Sequence, residues 1–587
     1  MANYLLGIDI GGGSLKSLLY SAENKEYTLT SKKMPANGIF KVGEFGYSMD
    51  TDVIFNSVKE LIEESLQKAE ISAEEIAALS FSSLRHTLVA LDGSGKVIFA
   101  SPNRDAIAVD QTMRLIDDGA QAIYSVAGHR PMPNLMACKL LWLRDTDAAV
   151  YEEIATAFTL PDYFNYKLTG KIFAERTNAA ESMLFDLKAN GWSDQLIDLM
   201  GLKNSYLPEI VESGNVLGSI NPEAADFLGL SPKTVLVTGA GDTQSALLGM
   251  GLVEDGDTGV VAGTTSPIQM QVAAPLIDEE ERTWTGASAI AGKYVVESNG
   301  GGMGVALEWA AGLLFDDYPN PVGALMAQAS KVSEGAGGVV STVGAQIFNN
   351  SVLSLPIDQI MFSTTNYLPN KTDRARFSRA VVEGMAFAVN ANIEQIVSVT
   401  GLETNKLSVA GGLSRSDAFV DIISNVSQKQ VKRPALHEAS ALGACVCAAM
   451  ALGEYDSLKA ASLALAPKED VFENKSESYE RIYDEWRESY LALFDATMPL
   501  GALINELRND MDATSEASGG GEKTKLRIYS DADLSEESIK LLEKFGEVTA
   551  KNYRDGDMLE GDDMIETLKD YDVFITEVDI VDAAIIK

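Results

Sequence analysis

Four short segments carry residue types that suit phosphate chemistry. The first is Asp9-Ile-Gly-Gly-Gly-Ser-Leu-Lys16. Consecutive glycines let backbone turn tightly and approach a phosphate with no side chain in the way. Ser14 adds a hydroxyl and Lys16 a point charge. Asp9, at the end of an apolar run, can hold Mg2+ directly or through water. The second segment, Gly239-Ala-Gly-Asp-Thr-Gln244, delivers a carboxylate through two glycines. At the end of a buried strand, Asp242 could take a proton from an alcohol as that oxygen attacks phosphorus. The third, Gly263-Thr-Thr-Ser266, offers amides and hydroxyls to phosphate oxygens. The fourth, Ala410-Gly-Gly-Leu413, leaves backbone bare enough to lie flat against a planar group such as adenine. Plain structural alternatives exist: a glycine hairpin turn with an incidental acid at 9–16, and a helix N-cap at Asp242, compatible with a base at the same residue. The order of the four segments is more specific than any one of them.

Each segment needs a strand to present it. Tyr4 to Tyr20 predicts strand, glycine turn, strand, because alternation resumes after Ser14. Thr258 to Ser266 predicts strand then turn, with Ile268–Val272 returning. Lys406 to Ser414 predicts a strand and a turn feeding a helix from about Ser414, with Phe419, Ile422, Ile423 and Val426 on one face. Lys233 to Asp242 is a strand ending in the second glycine pair. Arg374 to about Val399 has helical spacing, and Ala439–Leu452 is apolar on nearly all sides, so a buried helix is expected. Strands alternating with helices argue for α/β layers.

The chain has 587 residues, enough for several compact units. Lys plus Arg is 47 and Asp plus Glu is 85, a net charge of −38. So acidic a surface repels polyanions, and neither nucleic acid nor membrane is expected as a partner. A small phosphorylated ligand is still admitted, since glycine backbone and helix N-termini bind phosphate locally. Three cysteines, Cys138, Cys445 and Cys447, predict buried thiols in a reducing cytoplasm. The start shows no signal-peptide pattern, and no run of about 20 apolar residues predicts a span.

Taken together, the motifs resemble the FGGY carbohydrate kinases, within the sugar kinase–actin–heat-shock-protein superfamily. The resemblance rests on GIDIGGGSLK (7–16), TGAGDTQSALLGMG (238–251), VVAGTTS (260–266), RAVVEGMAFAV (379–389), and VAGGLSRSDAFVDIISNVSQ with HEASALGA (409–444). It implies two actin-like (ribonuclease H-like) ATPase domains flanking a cleft, ATP and Mg2+ as cofactors, and a small sugar or polyol substrate; a homodimer is left open. The expected limits are 1–252 for a sugar-binding domain with the catalytic base, 253–513 for a nucleotide-binding domain, 514–524 for a Gly/Ser-rich linker, and 525–587 for a partial flavodoxin-like α/β segment. The implied roles are as follows. Asp242 is the general base. Asp9, with Asp242, attends the metal. Gly11, Gly12, Gly13, Ser14, Lys16, Gly263, Thr264 and Thr265 form two phosphate loops. Gly411, Gly412 and Ser414 form the nucleotide turn. Arg85, His86, Asn103, Asp105, Asp242, Thr243 and Gln244 meet the substrate. One departure stands out: the family usually has Thr where this chain has Gly12, and the missing hydroxyl weakens the expected phosphate contact.

Substrate choice turns on Ser82–Asp92. Glycerol kinases and autoinducer-2 kinases carry Arg-Glu at the positions of Arg85 and His86, and xylulokinases carry Met-His, so this chain mixes the two patterns. Arg can donate a fork of hydrogen bonds to adjacent hydroxyls, while neutral His donates one and accepts one. Ser101-Pro-Asn-Arg-Asp-Ala106 is similar to the Asn-x-Asp-Ala segment of autoinducer-2 kinases. The first expectation is therefore autoinducer-2 kinase activity, the alternative a xylulokinase or other ketose or polyol kinase, and the third reading a non-catalytic sugar or nucleotide sensor. The tail resembles the opening of a D-isomer-specific 2-hydroxyacid dehydrogenase over about 65 residues, without a Gly-x-Gly-x-x-Gly fingerprint; a small independent α/β appendage is the alternative.

Overall fold

The first strand shows how the sequence builds the site. In β1 (Tyr4–Ile10), Leu6, Ile8 and Ile10 point to one face and Leu5, Gly7 and Asp9 to the other, as period-two pleating requires. Leu6, Ile8 and Ile10 pack in a core with Ile54, Val58, Leu61 and Ile62 of helix α1 (Thr51–Ala69). Burying each such side chain stabilises by roughly 1.5–3 kcal/mol. Five more strands complete this first sheet: β2 (Ser14–Ser21), β3 (Tyr27–Lys33), β4 (Ile76–Ser83), β5 (Val216–Ser219) and β6 (Val235–Val237). Their order is β5-β6-β4-β1-β2-β3. β1, β2 and β3 are antiparallel neighbours, whereas β4 and β6 run parallel to β1. Helix α2 (Met136–Thr146) lies in a satellite core beside this sheet. Helix α3 (Asp242–Gly249) leaves its end.

The second sheet repeats the plan. Its strands are β7 (Asp257–Val261), β8 (Pro267–Val272), β9 (Trp284–Ala287), β10 (Tyr294–Asn299), β11 (Lys406–Ala410), β12 (Val431–Pro434) and β13 (Glu469–Phe472), in the order β9-β10-β8-β7-β11-β12-β13. Again the first strand makes an antiparallel hairpin with the second, and two later strands join parallel on its other side. Helices α4 (Met303–Phe315), α5 (Arg374–Thr400), α6 (Asp417–Ser427) and α7 (Ala439–Ala449) accompany it. Phe419, Ile422, Ile423 and Val426 of α6 are buried in its core. That helix begins at Asp417 rather than near Ser414, because the Ser416 hydroxyl caps the Phe419 N–H, while residues 413–415 form a separate 3-10 turn.

The two sheets are joined by crossing helices. Although α7 follows strands of the second sheet, it packs on β1 of the first, where Gly7 is required: a Cβ there would lie 2.3 Å from the Ala441 carbonyl oxygen. Helices α3 and α7 touch backbone to backbone. A Cβ on Gly443 would sit 1.8 Å from the Ser245 carbonyl oxygen, and one on Gly249 2.1 Å from that of Ala439. All three cysteines are buried and free.

This computed structural model describes residues 4–43, 45–351, 362–364, 373–476, 478–494, 526–530, 546–550 and 573–575. The chain divides into compact units 1–496 and 497–587. In the second unit, β14 (Leu526–Ser530) lies between β15 (Gly546–Ala550) and β16 (Val573–Ile575), all parallel. The expected linker at 514–524 lies outside the described residues. Among the described residues no helix is long and apolar enough to cross a membrane.

Candidate active site

Gly11–Gly13 form the turn between β1 and β2, closed by the Gly11 N–H donating to the Ser14 carbonyl at 3.0 Å. None of the three has a positive φ. What bare backbone provides here is access: a Cβ on Gly13 would meet nothing within 4 Å, and one on Gly12 only Asn103 Oδ1 at 4.0 Å. The equivalent turn between β7 and β8 is Gly263–Ser266, with Thr264 and Thr265 exposed. Helix α4 abuts it so closely that a Cβ on Gly304 would lie 2.5 Å from the Gly263 carbonyl oxygen. The Gly304 N–H donates to the Thr264 carbonyl at 3.2 Å. The run Gly300–Gly302 and the start of α4 thus belong to this turn, and sequence reasoning missed them.

Gly411 does need its glycine: φ is +92°, and a Cβ would meet the Ala262 carbonyl oxygen at 2.6 Å. Gly412 beside it is open. Ser414, expected to form the nucleotide turn with these glycines, gives its hydroxyl to the turn's own backbone. It is buried, its hydroxyl donates to the Gly411 carbonyl at 2.7 Å, and it braces the turn from beneath. Lys16 reaches from the first sheet to Glu438 of the second half at 2.7 Å, and Glu438 also holds Arg415 at 3.1 Å.

Asp9 and Asp242 stand at the same ends of parallel strands β1 and β6. Asp9 accepts from Ser82 Oγ at 3.1 Å and lies 3.9 Å from Lys16 Nζ. Burial pushes its pKa up to about 6, against the pull of Lys16 and with a further push from Asp242. Asp242 is the first residue of α3, with Gly241 as the N-cap, so it is not itself the cap. The Gly241 N–H is fixed by Thr177 Oγ1 at 2.9 Å. Thr243 donates its N–H to Asp242 Oδ1 at 2.8 Å, and Arg85 Nε lies 3.6 Å from the same oxygen. Burial raises the Asp242 pKa although Arg85 and Thr243 pull it down. Its side chain is nonetheless 36% exposed, so protein surrounds it while one side stays open. Among the described residues no three His, Cys, Asp or Glu side chains form a metal cage. Two oxygen-donor acids of raised proton affinity fit a hard cation that completes its shell with water and phosphate.

The residues around Arg85 form one connected network. Arg85 is buried, and its fork donates to both oxygens of Glu297 at 2.7 and 2.8 Å and to Glu181 at 2.9 Å. The fork expected to grip substrate hydroxyls is therefore spent on protein carboxylates. Glu181 also takes the Gln244 amide at 3.0 Å and His129 Nε2 at 3.1 Å, with His86 Nε2 at 3.7 Å. Arg85 and His129 hold the Glu181 carboxyl well below its usual range despite burial. Burial drives His86 down to about 3, so it is neutral, whereas Glu181 raises His129. Trp284 of β9 stacks on His129 at 5.7 Å and meets His86 edge-on at 6.0 Å. Glu297 and Trp284 come from the second half, so the network spans both halves rather than lying on the first alone.

His86 has a left-handed backbone, φ +60°, unusual for a non-glycine residue. Lys139 of α2 holds it: the buried Nζ donates to the His86 carbonyl at 2.8 Å and to the Pro102 carbonyl at 2.7 Å. Asp105, expected to meet substrate, is fully buried and serves its own loop; it accepts from the Tyr47 and Ile107 N–H groups and from the Ser101 hydroxyl. Asn103 lies beside Gly12 rather than deep in the network. Glu181, Glu297, His129, Trp284 and Lys139 escaped sequence reasoning. One signal was available for His129, since the chain has only three histidines.

Comparison with known proteins agrees with this architecture. The model for the N-terminal domain of the FGGY family of carbohydrate kinases matches residues 4–249, and the model for its C-terminal domain matches residues 260–452. The autoinducer-2 kinase of Escherichia coli strain K12 is 27% identical over 516 residues, spanning 85% of this chain and 95% of that protein. A ligand-bound xylulose kinase structure from Lactobacillus acidophilus superposes with a TM-score of 0.73 at 24% identity, covering 84% of this chain and 98% of that one. A gluconate kinase structure from the same organism gives 0.74 at 23%, with the same coverage. The fold is the two-domain actin-like arrangement.

Proposed function

Because this chain belongs to the FGGY family of carbohydrate kinases, and so is an ATP- and Mg2+-dependent sugar kinase, we propose that its acceptor is a small neutral polyhydroxylated carbonyl compound, with open-chain autoinducer-2 first among candidates. The similarity to autoinducer-2 kinase over 85% of the chain supports that order. His86, in place of the acid expected there, favours a ketose such as xylulose as the second reading.

The observation that carries the mechanism is Asp242: a carboxylate with raised proton affinity, open on one side, at the same sheet end as the Gly11–Gly13 turn. Asp242 accepts the proton of the acceptor hydroxyl as its oxygen attacks the γ-phosphorus. Thr243 and Arg85 orient that carboxylate. Gly11–Ser14 and Gly263–Thr265 present amides to the phosphates, Lys16 exchanges Glu438 for phosphate oxygen, and Gly411 and Gly412 lie against the base. Asp9, with Asp242, would hold Mg2+, which when bound offsets phosphate charge. Bending about residues 250–257, next to the α3–α7 crossing, would close the cleft and exclude water.

A coupled ADP assay over polyols, ketopentoses, ketohexoses and the autoinducer-2 precursor tests the acceptor. Acceptor-stimulated ADP release is expected, and its absence with every compound would leave the sensor reading. The Asp242→Asn variant is expected to lose on the order of 10²–10⁴-fold in turnover while still binding ATP. More than a tenth of wild-type turnover would remove Asp242 from the role of base.

A further inference from the structure

The acceptor network contains more acid than its one guanidinium requires. Arg85 is gripped by Glu181 and Glu297, and Asp242 lies 3.6 Å from its Nε. Three carboxylates thus surround one guanidinium. Of the two histidines, His86 is driven neutral and His129 is held toward its charged form by Glu181. Burial pushes the Glu297 pKa up, and the bidentate fork from Arg85 and the Gln269 amide at 2.5 Å oppose that rise. Lys139 faces away to two carbonyls and Asp105. The Arg85 fork is thus taken up by two protein carboxylates, and no other buried guanidinium belongs to this network among the described residues.

A second observation points the same way. Gln244 and Gln269 are each at most 1% exposed, and each gives its amide N–H to one of the two glutamates. Their Oε1 atoms are left buried without a partner. Orphaned acceptors call for donors, and a hydroxyl supplies one whereas a carboxylate does not.

We propose that Glu181 and Glu297 are charge-selectivity residues: by neutralising Arg85 they leave an acceptor pocket that admits neutral polyhydroxy compounds and turns away acceptors bearing a carboxylate, such as aldonates. The inference rests on the reading of this network as the acceptor site. It works by repulsion as much as attraction, since the one cation able to pair with a substrate carboxylate is already occupied.

The test uses D-glucitol and D-gluconate, which have the same carbon chain and differ at one end by a hydroxymethyl against a carboxylate. The wild-type protein, Glu181→Gln and Glu297→Gln are compared for binding of each compound, followed by tryptophan fluorescence, and for ADP release. Each variant keeps the side-chain shape and removes one charge. The two lie on separate segments, so misfolding of one leaves the other. Gluconate is expected to gain about 10- to 100-fold relative to glucitol in either variant, the span of one like charge removed at close range. No gain of gluconate in a folded variant overturns the proposal. If the wild type releases ADP with neutral acceptors and the variants show no shift, only this assignment fails. If the wild type prefers gluconate, the neutral-acceptor reading fails with it.

Discussion

Replacing Lys139 with methionine separates positioning from folding in a way the structure makes quantitative. Lys139 is fully buried and ties the strained His86 peptide to the Pro102 loop through two carbonyls. The Lys139→Met variant loses both bonds and leaves two buried acceptors unpaired, at about 1–3 kcal/mol each. Against that stands the burial of the lysine, which lowers its pKa from 10.5 to about 7 despite Asp105. At about 1.4 kcal/mol per pKa unit, the charged form carries a penalty on the order of 5 kcal/mol, which the neutral thioether relieves. Near pH 7 gain and loss roughly cancel, so Tm should move little. The loop geometry is not compensated, and the acceptor KM should rise about tenfold or more with the ATP KM unchanged. The pH dependence gives an independent sign. A lysine with a depressed folded pKa penalises folding fully below that value, and the penalty fades as pH rises from about 7 toward 10.5. Wild type therefore gains stability on the Lys139→Met variant as pH rises, by about 3 kcal/mol between pH 7 and pH 9. Kinetics at pH 7 and urea midpoints at both pH values are the measurements. An unchanged acceptor KM in a folded variant, or an equal stability gap at both pH values, would refute the reasoning.

Two further outcomes follow from particular contacts. Gly12→Thr restores the family hydroxyl at a site with open space and no positive φ; a bond to a charged phosphate should lower the ATP KM by about tenfold, and an unchanged KM would mean that backbone amides alone serve there. Asp162 is buried, and burial pushes its pKa from 3.8 to about 8, with Glu175 adding to the rise. A raised acid contributes stability that is full below its unfolded pKa and lost as pH rises through the folded one. Asp162→Asn should therefore gain on wild type by about 4 kcal/mol between pH 5 and pH 8, read from unfolding midpoints, and parallel curves would contradict this.

The strands and turns were legible because each is local. Alternation marks β1, and glycines mark its end. Asp9 and Asp242 were legible for the same reason, as acids placed where strands stop. The network behind Arg85 was not, because Glu181 and Glu297 lie 96 and 212 residues away from it in sequence and nothing near them differs from an ordinary strand or loop acid. Ser414 and Asp105 misled for a related reason. A hydroxyl or carboxylate beside a tight turn has the same local sequence whether it faces a ligand or its own backbone, and here both serve the backbone. Histidine scarcity was the unused clue: His86 and His129 meet Glu181, and the third, His437, holds the Gly411 turn through its carbonyl at 3.1 Å.

The duplicated sheets differ at their glycine turns, because only the first carries an acid just ahead of the turn. Gly11 after β1 and Gly263 after β7 are equivalent, so Asp9 corresponds to Val261. A carboxylate at that position in both halves would place a second acid, beyond the one Lys16 approaches, where phosphates must enter, at a steep electrostatic cost. Helices α3 and α7 are equivalent as well, each following the last parallel strand of its sheet, and an acid stands at each start: Asp242 is the first residue of α3 and Glu438 the N-cap of α7. Asp242 faces Arg85, and Glu438 faces Lys16. In each case the acid sits at the start of a crossing helix, and its cation comes from a strand of the first sheet (Lys16) or the loop just after one (Arg85). A chain with net charge −38 can therefore take a nucleotide without a basic surface: Lys16 is held by Glu438 at the start of α7, and Arg85 by Glu181 and Glu297 with Asp242 beside it.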